Sequence, residues 1–229
     1  MGRDLADRTI VVMGGTGNLG RAVVHRLRAD GATVVVADAR LPAEDDRQPD
    51  VRYVTVDALD EASVSAAFGD VSPVPWAVVN LVGGYSPPQR LADLDISLLR
   101  HQLELNLVTA AVLTKHALPL LAANGGGRIV HTSSRVATQT GENGFAYSVS
   151  KLAVLRLVEA AGAEGREHGV TVNCIMPSII DTPPNRAAMP NSDHHRWPKP
   201  AELAAVLSFL VSDDAVLISG AAVPVYGRA

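Results

Sequence analysis

Seven short apolar runs, at residues 9–13, 33–37, 51–56, 77–81, 128–131, 170–176 and 221–225, carry no polar–apolar alternation. A strand with one wet face alternates. A run that stays apolar at successive positions is covered on both faces, as in parallel sheets. Stretches with helical spacing lie between the runs, at 18–30, 61–68, 97–123, 146–168 and 200–212. Strand and helix therefore alternate along the chain, which predicts an α/β fold: a doubly wound parallel sheet of about seven strands with helices on both faces. The 229 residues suit one well-cored domain, 1–229, and no repeat or linker divides them. The irregular, proline-punctuated stretch 178–199 reads as a functional loop or lid within it.

A hydrophobic content of 47% against 19% charged residues excludes disorder. A net charge of -4 gives no electrostatic case for nucleic acid or an anionic membrane. No apolar run reaches the ~20 residues that span a bilayer. The lone cysteine, Cys174, sits among apolar residues and reads as a buried, inert thiol in a reducing compartment. The first residues lack an apolar signal core, and Ala6 breaks the acylation pattern that Met1-Gly2 would open. The expectation is a soluble cytoplasmic protein.

The first apolar run leads straight into Gly14-Gly15-Thr16-Gly17-Asn18-Leu19-Gly20, and helical spacing follows. Gly15, Gly17 and Gly20 satisfy G-x-G-x-x-G, with Asp38 after the next strand at about the ~20-residue spacing of a dinucleotide site. Glycines let backbone approach a pyrophosphate, and the helix N-terminus offers it N–H donors. Asp38 can accept from both hydroxyls of an adenosine ribose and repels a 2′-phosphate, which favours NAD(H). Arg40 is the counter-signal, because a nearby Arg can accommodate that phosphate; NADP(H) stays possible, and the preferred reading of Arg40 is a solvated loop charge.

Tyr147 and Lys151 are four residues apart and share one helix face. An ammonium beside a phenol favours the phenolate, which makes a tyrosine usable for proton transfer near neutral pH. Together with a dinucleotide turn, the pair points to hydride transfer coupled to proton transfer.

In these residues the chain resembles the short-chain dehydrogenase/reductase family along essentially its whole length. The family turn T-G-x-x-x-G-x-G appears as residues 13–20, with Asn18 in place of the middle glycine, and Asn tolerates positive φ better than most residues. Asp57, followed by Ala58, matches the adenine-contacting acid, and Asn80-Leu81-Val82-Gly83 stands where the family shows N-N-A-G. Ser134 precedes Tyr147 by the family spacing, whereas Ser133 is one residue off, and Tyr147-x-x-x-Lys151 is the signature itself. Asn173-x-x-x-Pro177 matches the segment leading to the nicotinamide, with Ser178 replacing a glycine; Ile180 and Thr182 follow, Thr182 at the carboxamide position. The resemblance implies a Rossmann-like sheet and an NAD(P)(H)-dependent oxidoreductase acting on a small molecule. It implies a catalytic set of Asn106, Ser134, Tyr147 and Lys151. Tyr147 passes the proton, Lys151 lowers its pKa and bonds the nicotinamide ribose, Ser134 holds the substrate carbonyl, and Asn106 bonds a relay water.

A narrower resemblance, to the NADH-preferring dihydropteridine reductase branch, rests on Gly83-Gly84-Tyr85, Asp181-Thr182-Pro183, Asn185-Arg186, Met189-Pro190 and Trp197. That branch lacks the catalytic serine that this chain has in Ser134. A pterin reductase is thus one alternative to a carbonyl or alcohol substrate, and a non-catalytic nucleotide sensor is another. Tyr85 is expected to touch substrate; Trp197 walls the pocket or anchors the loop. His194-His195 do not share a helix face and no ligand cluster surrounds them, so no metal is expected. His131 reads as a packed core histidine, His101 and His116 as surface or interface residues. The two long helices carry apolar surplus, shown by Leu152, Leu155, Val158 and Ala161; in the family such helices form dimer and tetramer interfaces, so a homo-oligomer, most simply a homotetramer, is expected.

Overall fold

The computed structural model describes residues 5–228. Its strands are β1 (Thr9–Met13), β2 (Thr33–Asp38), β3 (Arg52–Thr55), β4 (Ala77–Asn80), β5 (Gly127–Thr132), β6 (Val170–Pro177) and β7 (Ala222–Val225). They form one parallel sheet in the order β3-β2-β1-β4-β5-β6-β7. The helices are α1 (Asn18–Ala29), α2 (Glu61–Asp70), α3 (Ile96–Leu103), α4 (Thr109–Ala123), α5 (Phe145–Gly165), α6 (Pro183–Ala188) and α7 (Pro200–Val211).

Successive residues of a strand feed opposite cores. Val11 and Met13 pack with Phe68 of α2, Leu113 and Leu121 of α4 and Val158 of α5. Ile10 and Val12 pack with Val23 and Leu27 of α1 and Leu203 and Leu207 of α7. Each such side chain contributes about 1.5–3 kcal/mol by leaving water, and a requirement at every position is what removes the alternation from the sequence. The edges are the exception. In β3, expected to be buried on both faces, Arg52 and Thr55 are exposed and Tyr53 and Val54 half-buried. An outermost strand has one neighbour, and its helix cover is incomplete.

Three further expectations change. The apolar surplus assigned to α5 is mostly core: Leu155, Val158 and Ala161 are buried under the sheet, and only Leu152 of the four is exposed. The helix expected over 97–123 contains a wide turn at Glu104–Val108. Its whole span, Ile96–Ala123, is long and apolar enough to cross a membrane, which run length alone had excluded. Here it packs against α2, α5 and β5, as core helices of water-soluble folds do.

The chain leaves β1 and β4 in opposite directions across the sheet, so a crevice opens at their C-terminal ends. The glycine turn, the β4 exit, Ser134 after β5 and the lid after β6 all gather there.

Candidate active site

The chain turns out of β1 through Gly14, at φ +75°, and the Gly14 N–H donates to the Ala37 carbonyl at 2.8 Å. Gly20 packs so tightly into this turn that a Cβ would stand 2.5 Å from the Gly14 carbonyl oxygen. Gly17 caps α1 without a side chain, and the first turn carries no acidic residue. Its amides are therefore available to an anion. Asp38 ends β2 beside the turn. Its Oδ2 accepts from the Thr16 hydroxyl at 2.6 Å and the Thr16 N–H at 3.2 Å; its Oδ1 takes a long bond from the Arg40 N–H at 3.4 Å. The Arg40 side chain is in solvent. Asp57 turns on itself, its Oδ1 accepting from the Leu59 N–H at 2.9 Å, with Ala58 half-buried next to it.

The β4 exit is tied from below by a buried network. The Thr114 hydroxyl has one proton and donates it to the Ala110 carbonyl at 2.7 Å. The contact at 2.9 Å between Thr114 Oγ1 and His131 Nε2 must then be donated by the ring. That tautomer leaves Nδ1 to accept from Asn80 Nδ2 at 3.2 Å. Asn80 Oδ1 in turn accepts the Val82 N–H at 3.1 Å, and the Leu81 N–H reaches the Met13 carbonyl at 2.9 Å. His131 is fully enclosed, and burial, with the Lys151 charge adding to it, lowers its pKa to about 4, so it is a neutral structural ring. At Gly83, φ is +152°, and a Cβ would meet Asn106 Oδ1 at 2.6 Å and Lys151 Nζ at 2.9 Å.

The two serines separate cleanly. Ser133 is buried and donates to the Lys151 carbonyl at 2.8 Å, which makes it a strut of α5. Ser134 lies beside the Tyr147 phenol, where its hydroxyl favours the phenolate, and its Oγ accepts a long bond from the Val136 N–H at 3.5 Å. Lys151 is 4% exposed. Its Nζ donates to the Thr132 carbonyl at 3.0 Å and lies 6.0 Å from the Tyr147 ring centre. Burial lowers the ammonium to about 8. Tyr147 does not follow the sequence expectation: burial raises its pKa, the Ser134 hydroxyl pulls back against that, and the Tyr85 ring adds to the rise. At this separation the lysine does not offset desolvation. Tyr85 stands edge-on to Tyr147, centroids 5.1 Å apart, and is otherwise exposed.

Asn106 sits in the wide turn. The Thr109 N–H reaches back to Glu104, and the Thr109 hydroxyl takes over the Leu105 carbonyl at 2.8 Å. The buried Asn106 amide is engaged at both ends. Its Oδ1 accepts from the Gly84 N–H at 2.9 Å; its Nδ2 faces the Gly84 carbonyl at 3.0 Å, Ser150 Oγ at 3.1 Å and Gln102 Oε1 at 3.2 Å. Gln102 and Ser150 escaped the sequence reading. The usable signal was a polar residue four before Asn106 on an apolar helix face, and a second one on the Tyr147 helix.

The lid begins where β6 ends at Pro177. It is not irregular throughout, since α6 occupies Pro183–Ala188 behind the buried Thr182. Ile180 leans on the core and its carbonyl accepts from Asn185 at 2.8 Å. The lid is clasped to the chain beyond β7. Ser178 donates to the Tyr226 carbonyl at 2.8 Å, and Arg196 and Arg228 exchange two bonds, at 2.8 and 2.9 Å. Trp197 is 6% exposed, with His194 against its ring, so its burial fits the anchoring role of the two considered.

A parallel sheet with its crevice at a glycine turn, and a serine, tyrosine and lysine beside it, define an oxidoreductase scaffold. The chain belongs to the short chain dehydrogenase family, whose sequence model matches residues 8–193. It is 32% identical to the cis-4-hydroxycyclohexanecarboxylate dehydrogenase of Sinomonas cyclohexanicum, covering 99% of this chain and 98% of that one. It is likewise 32% identical to the momilactone A synthase of Oryza sativa subsp. japonica, over 95% and 88% of the two chains. A solved short-chain type dehydrogenase/reductase from Mycobacterium ulcerans superposes with a TM-score of 0.88 at 26% identity, covering 100% of this chain and 90% of that one.

Proposed function

We propose that the chain is an NAD(H)-preferring oxidoreductase that interconverts a secondary alcohol and its ketone, with Tyr147 as proton donor and acceptor. The observation that carries the reading is the convergence of Ser134, Tyr147 and the buried Lys151 at the C-terminal ends of β4 to β6, beside the glycine turn. The residues present fit a dinucleotide. The close packing of Gly20 into the turn and of Gly83 against Asn106 and Lys151 admits no side chain at either place, and the first turn of α1 is uncapped. Gly14, Thr16, Gly17, Asn18 and Leu19 line the pyrophosphate end, and Asp38, Asp57 and Ala58 the adenosine end. Asn80, Leu81, Val82, Gly83, Pro177, Ile180 and Thr182 line the nicotinamide end. Once bound, the cofactor supplies or takes the hydride.

The chain's own work is positional and protonic. The Ser134 hydroxyl holds the substrate oxygen and stabilises its developing charge. The Tyr147 proton moves to or from that oxygen. A phenol raised by burial needs help to ionise, and the Lys151 ammonium, 6.0 Å from the ring centre, is the positive charge that would favour the phenolate. Its pKa of about 8 lets Lys151 return a proton near neutral pH. Because both hydrogens of Asn106 Nδ2 and one side of its Oδ1 are engaged, the side chain serves as a brace, and the rest of Oδ1 or the backbone remains for a relay water.

An alicyclic secondary alcohol is the favoured substrate class. The name of the Sinomonas relative specifies a hydroxyl on a cyclohexane ring. Exposed Tyr85, whose ring packs edge-on to Tyr147, and exposed Phe145 and Ile179, close in sequence to Tyr147 and Pro177, give the mouth an apolar rim. The compared relatives favour neither the pterin substrate nor the sensor. An open groove between α4 and α5, where Leu118, Pro119, Ala122 and Leu157 lie beside Lys115, Glu164 and His168, is the face that supports the homo-oligomer. The test is turnover of cyclohexanone and 4-oxocyclohexanecarboxylate with NADH and with NADPH, in wild type and Tyr147→Phe. Wild type should favour NADH, and the variant should lose at least about a hundredfold in kcat while still binding NADH. A variant with near-normal turnover rejects the proton-transfer role.

A further inference from the structure

We infer that Thr16 is the positioning residue that sets the cofactor preference, acting through Asp38. The inference rests on the reading of Asp38 as the ribose acceptor. A carboxylate at the end of a strand has two side-chain torsions and is free to swing unless held. Here two donors from Thr16, its hydroxyl at 2.6 Å and its N–H at 3.2 Å, converge on the same oxygen, Oδ2. Only the long bond from the Arg40 N–H, at 3.4 Å, touches Oδ1. A carboxylate oxygen has about two acceptor positions, so Oδ2 is filled by Thr16 and Oδ1 is the oxygen left for a ribose hydroxyl.

The hold runs deeper than one hydrogen bond. The Gly14 N–H donates to the Ala37 carbonyl at 2.8 Å, one residue before Asp38. The glycine turn and the end of β2 are therefore joined at two successive points, one backbone and one side chain. A cofactor with a 2′-phosphate needs the Asp38 carboxylate moved aside. Moving it breaks a charge-assisted bond to the turn that cradles the pyrophosphate. Discrimination against the phosphate thus comes from a carboxylate that cannot retreat, as well as from its charge. Thr16 donates its one hydroxyl proton inward to Asp38, so that hydroxyl is not a donor to the dinucleotide.

The experiment is calorimetric binding of NAD+ and NADP+ to wild type, Thr16→Val, Thr16→Ser, Asp38→Ala and the Thr16→Val/Asp38→Ala double variant, with no turnover involved. Valine keeps the branched shape and deletes the donor. Thr16→Val should narrow the ratio of the two dissociation constants by about tenfold, the scale of one charge-assisted hydrogen bond. Thr16→Ser should restore it. The double variant should match Asp38→Ala alone, because Thr16 has nothing to hold once the carboxylate is gone. If Asp38→Ala collapses the preference and Thr16→Val leaves it intact, the role of Thr16 is refuted and the reading of Asp38 survives. Equal weakening of both cofactors by Thr16→Val also refutes it, because Thr16 would then act on a part the two share. If Asp38→Ala itself changes nothing, the ribose reading fails first and takes this inference with it.

Discussion

Replacing Lys151 with methionine should abolish turnover and, at neutral pH, make the protein more stable. The ammonium is almost wholly enclosed, and burial lowers its pKa from 10.5 to about 8. At about 1.4 kcal/mol per pH unit, holding it charged in the fold at pH 7 costs about 3 kcal/mol. Against this, methionine leaves the Thr132 carbonyl without its donor, a loss of about 1–2 kcal/mol. Desolvation wins, and the variant should gain about 1–2 kcal/mol at pH 7. The sign of the pH dependence is fixed. Between about 8 and 10.5 the unfolded wild type holds a proton that the folded state has released, so wild-type stability rises across that window. The advantage of Lys151→Met should shrink from pH 8 upward and reverse by pH 10.5. Urea unfolding at pH 7, 8.5 and 10, wild type beside variant, reads it directly. A variant less stable than wild type at pH 7, or a difference constant with pH, refutes the argument that the lysine is held charged at the expense of the fold.

His131 titrates in the opposite region. Its folded pKa of about 4 lies below its ordinary 6.5, so the stability it carries is complete above pH 6.5 and is lost as pH falls to 4, about 3 kcal/mol in all. His131→Asn should flatten the acid limb of the stability curve relative to wild type; parallel curves from pH 7 to 4 would reject the enclosed neutral ring. Gly83→Ala puts a methyl into Asn106 and Lys151 at a φ that L-residues avoid. It should cost about 1–3 kcal/mol in unfolding free energy and reduce kcat/KM about tenfold or more, since misplacing catalytic groups by fractions of an ångström is expensive. Wild-type melting and kinetics in that variant would show that the loop simply moves aside.

Most of the sheet was legible because burial on both faces leaves a one-dimensional mark. β1, β2, β5 and β6 fall within a residue or so of their apolar runs. Asp38 and Tyr147-x-x-x-Lys151 were legible because their spacing is set by local geometry. What the sequence withheld depends on contacts between distant segments. The edge position of β3 follows from sheet order, which the run at 51–56 does not encode. Ser134 was separable from Ser133 only through the family spacing to Tyr147; that Ser133 instead struts α5 through the Lys151 carbonyl is set by the turn after β5. The effect of Lys151 on Tyr147 failed as a sequence inference because neighbours on one helix face can still leave a charge 6.0 Å from a ring while burial acts at full strength. The lid's clasp joins Arg196 to Arg228, and no local pattern announces a pairing over 32 residues.

The wide turn at Glu104–Val108 has a consequence for the helix that carries it. Gln102, Asn106, Ala110, Thr114, Ala117 and Leu121 form one buried stripe. From 102 to 121 is 19 residues, whereas five turns of α-helix take about 18. The bulge absorbs the surplus residue and works as a phase corrector. It lets the upstream segment aim Gln102 and Asn106 at the catalytic corner while the downstream segment keeps Ala117 and Leu121 on the sheet. A deletion of one residue within 104–108 would give a more regular helix with its two halves about 100° out of step. Such a chain would keep its core or its active-site brace, but not both.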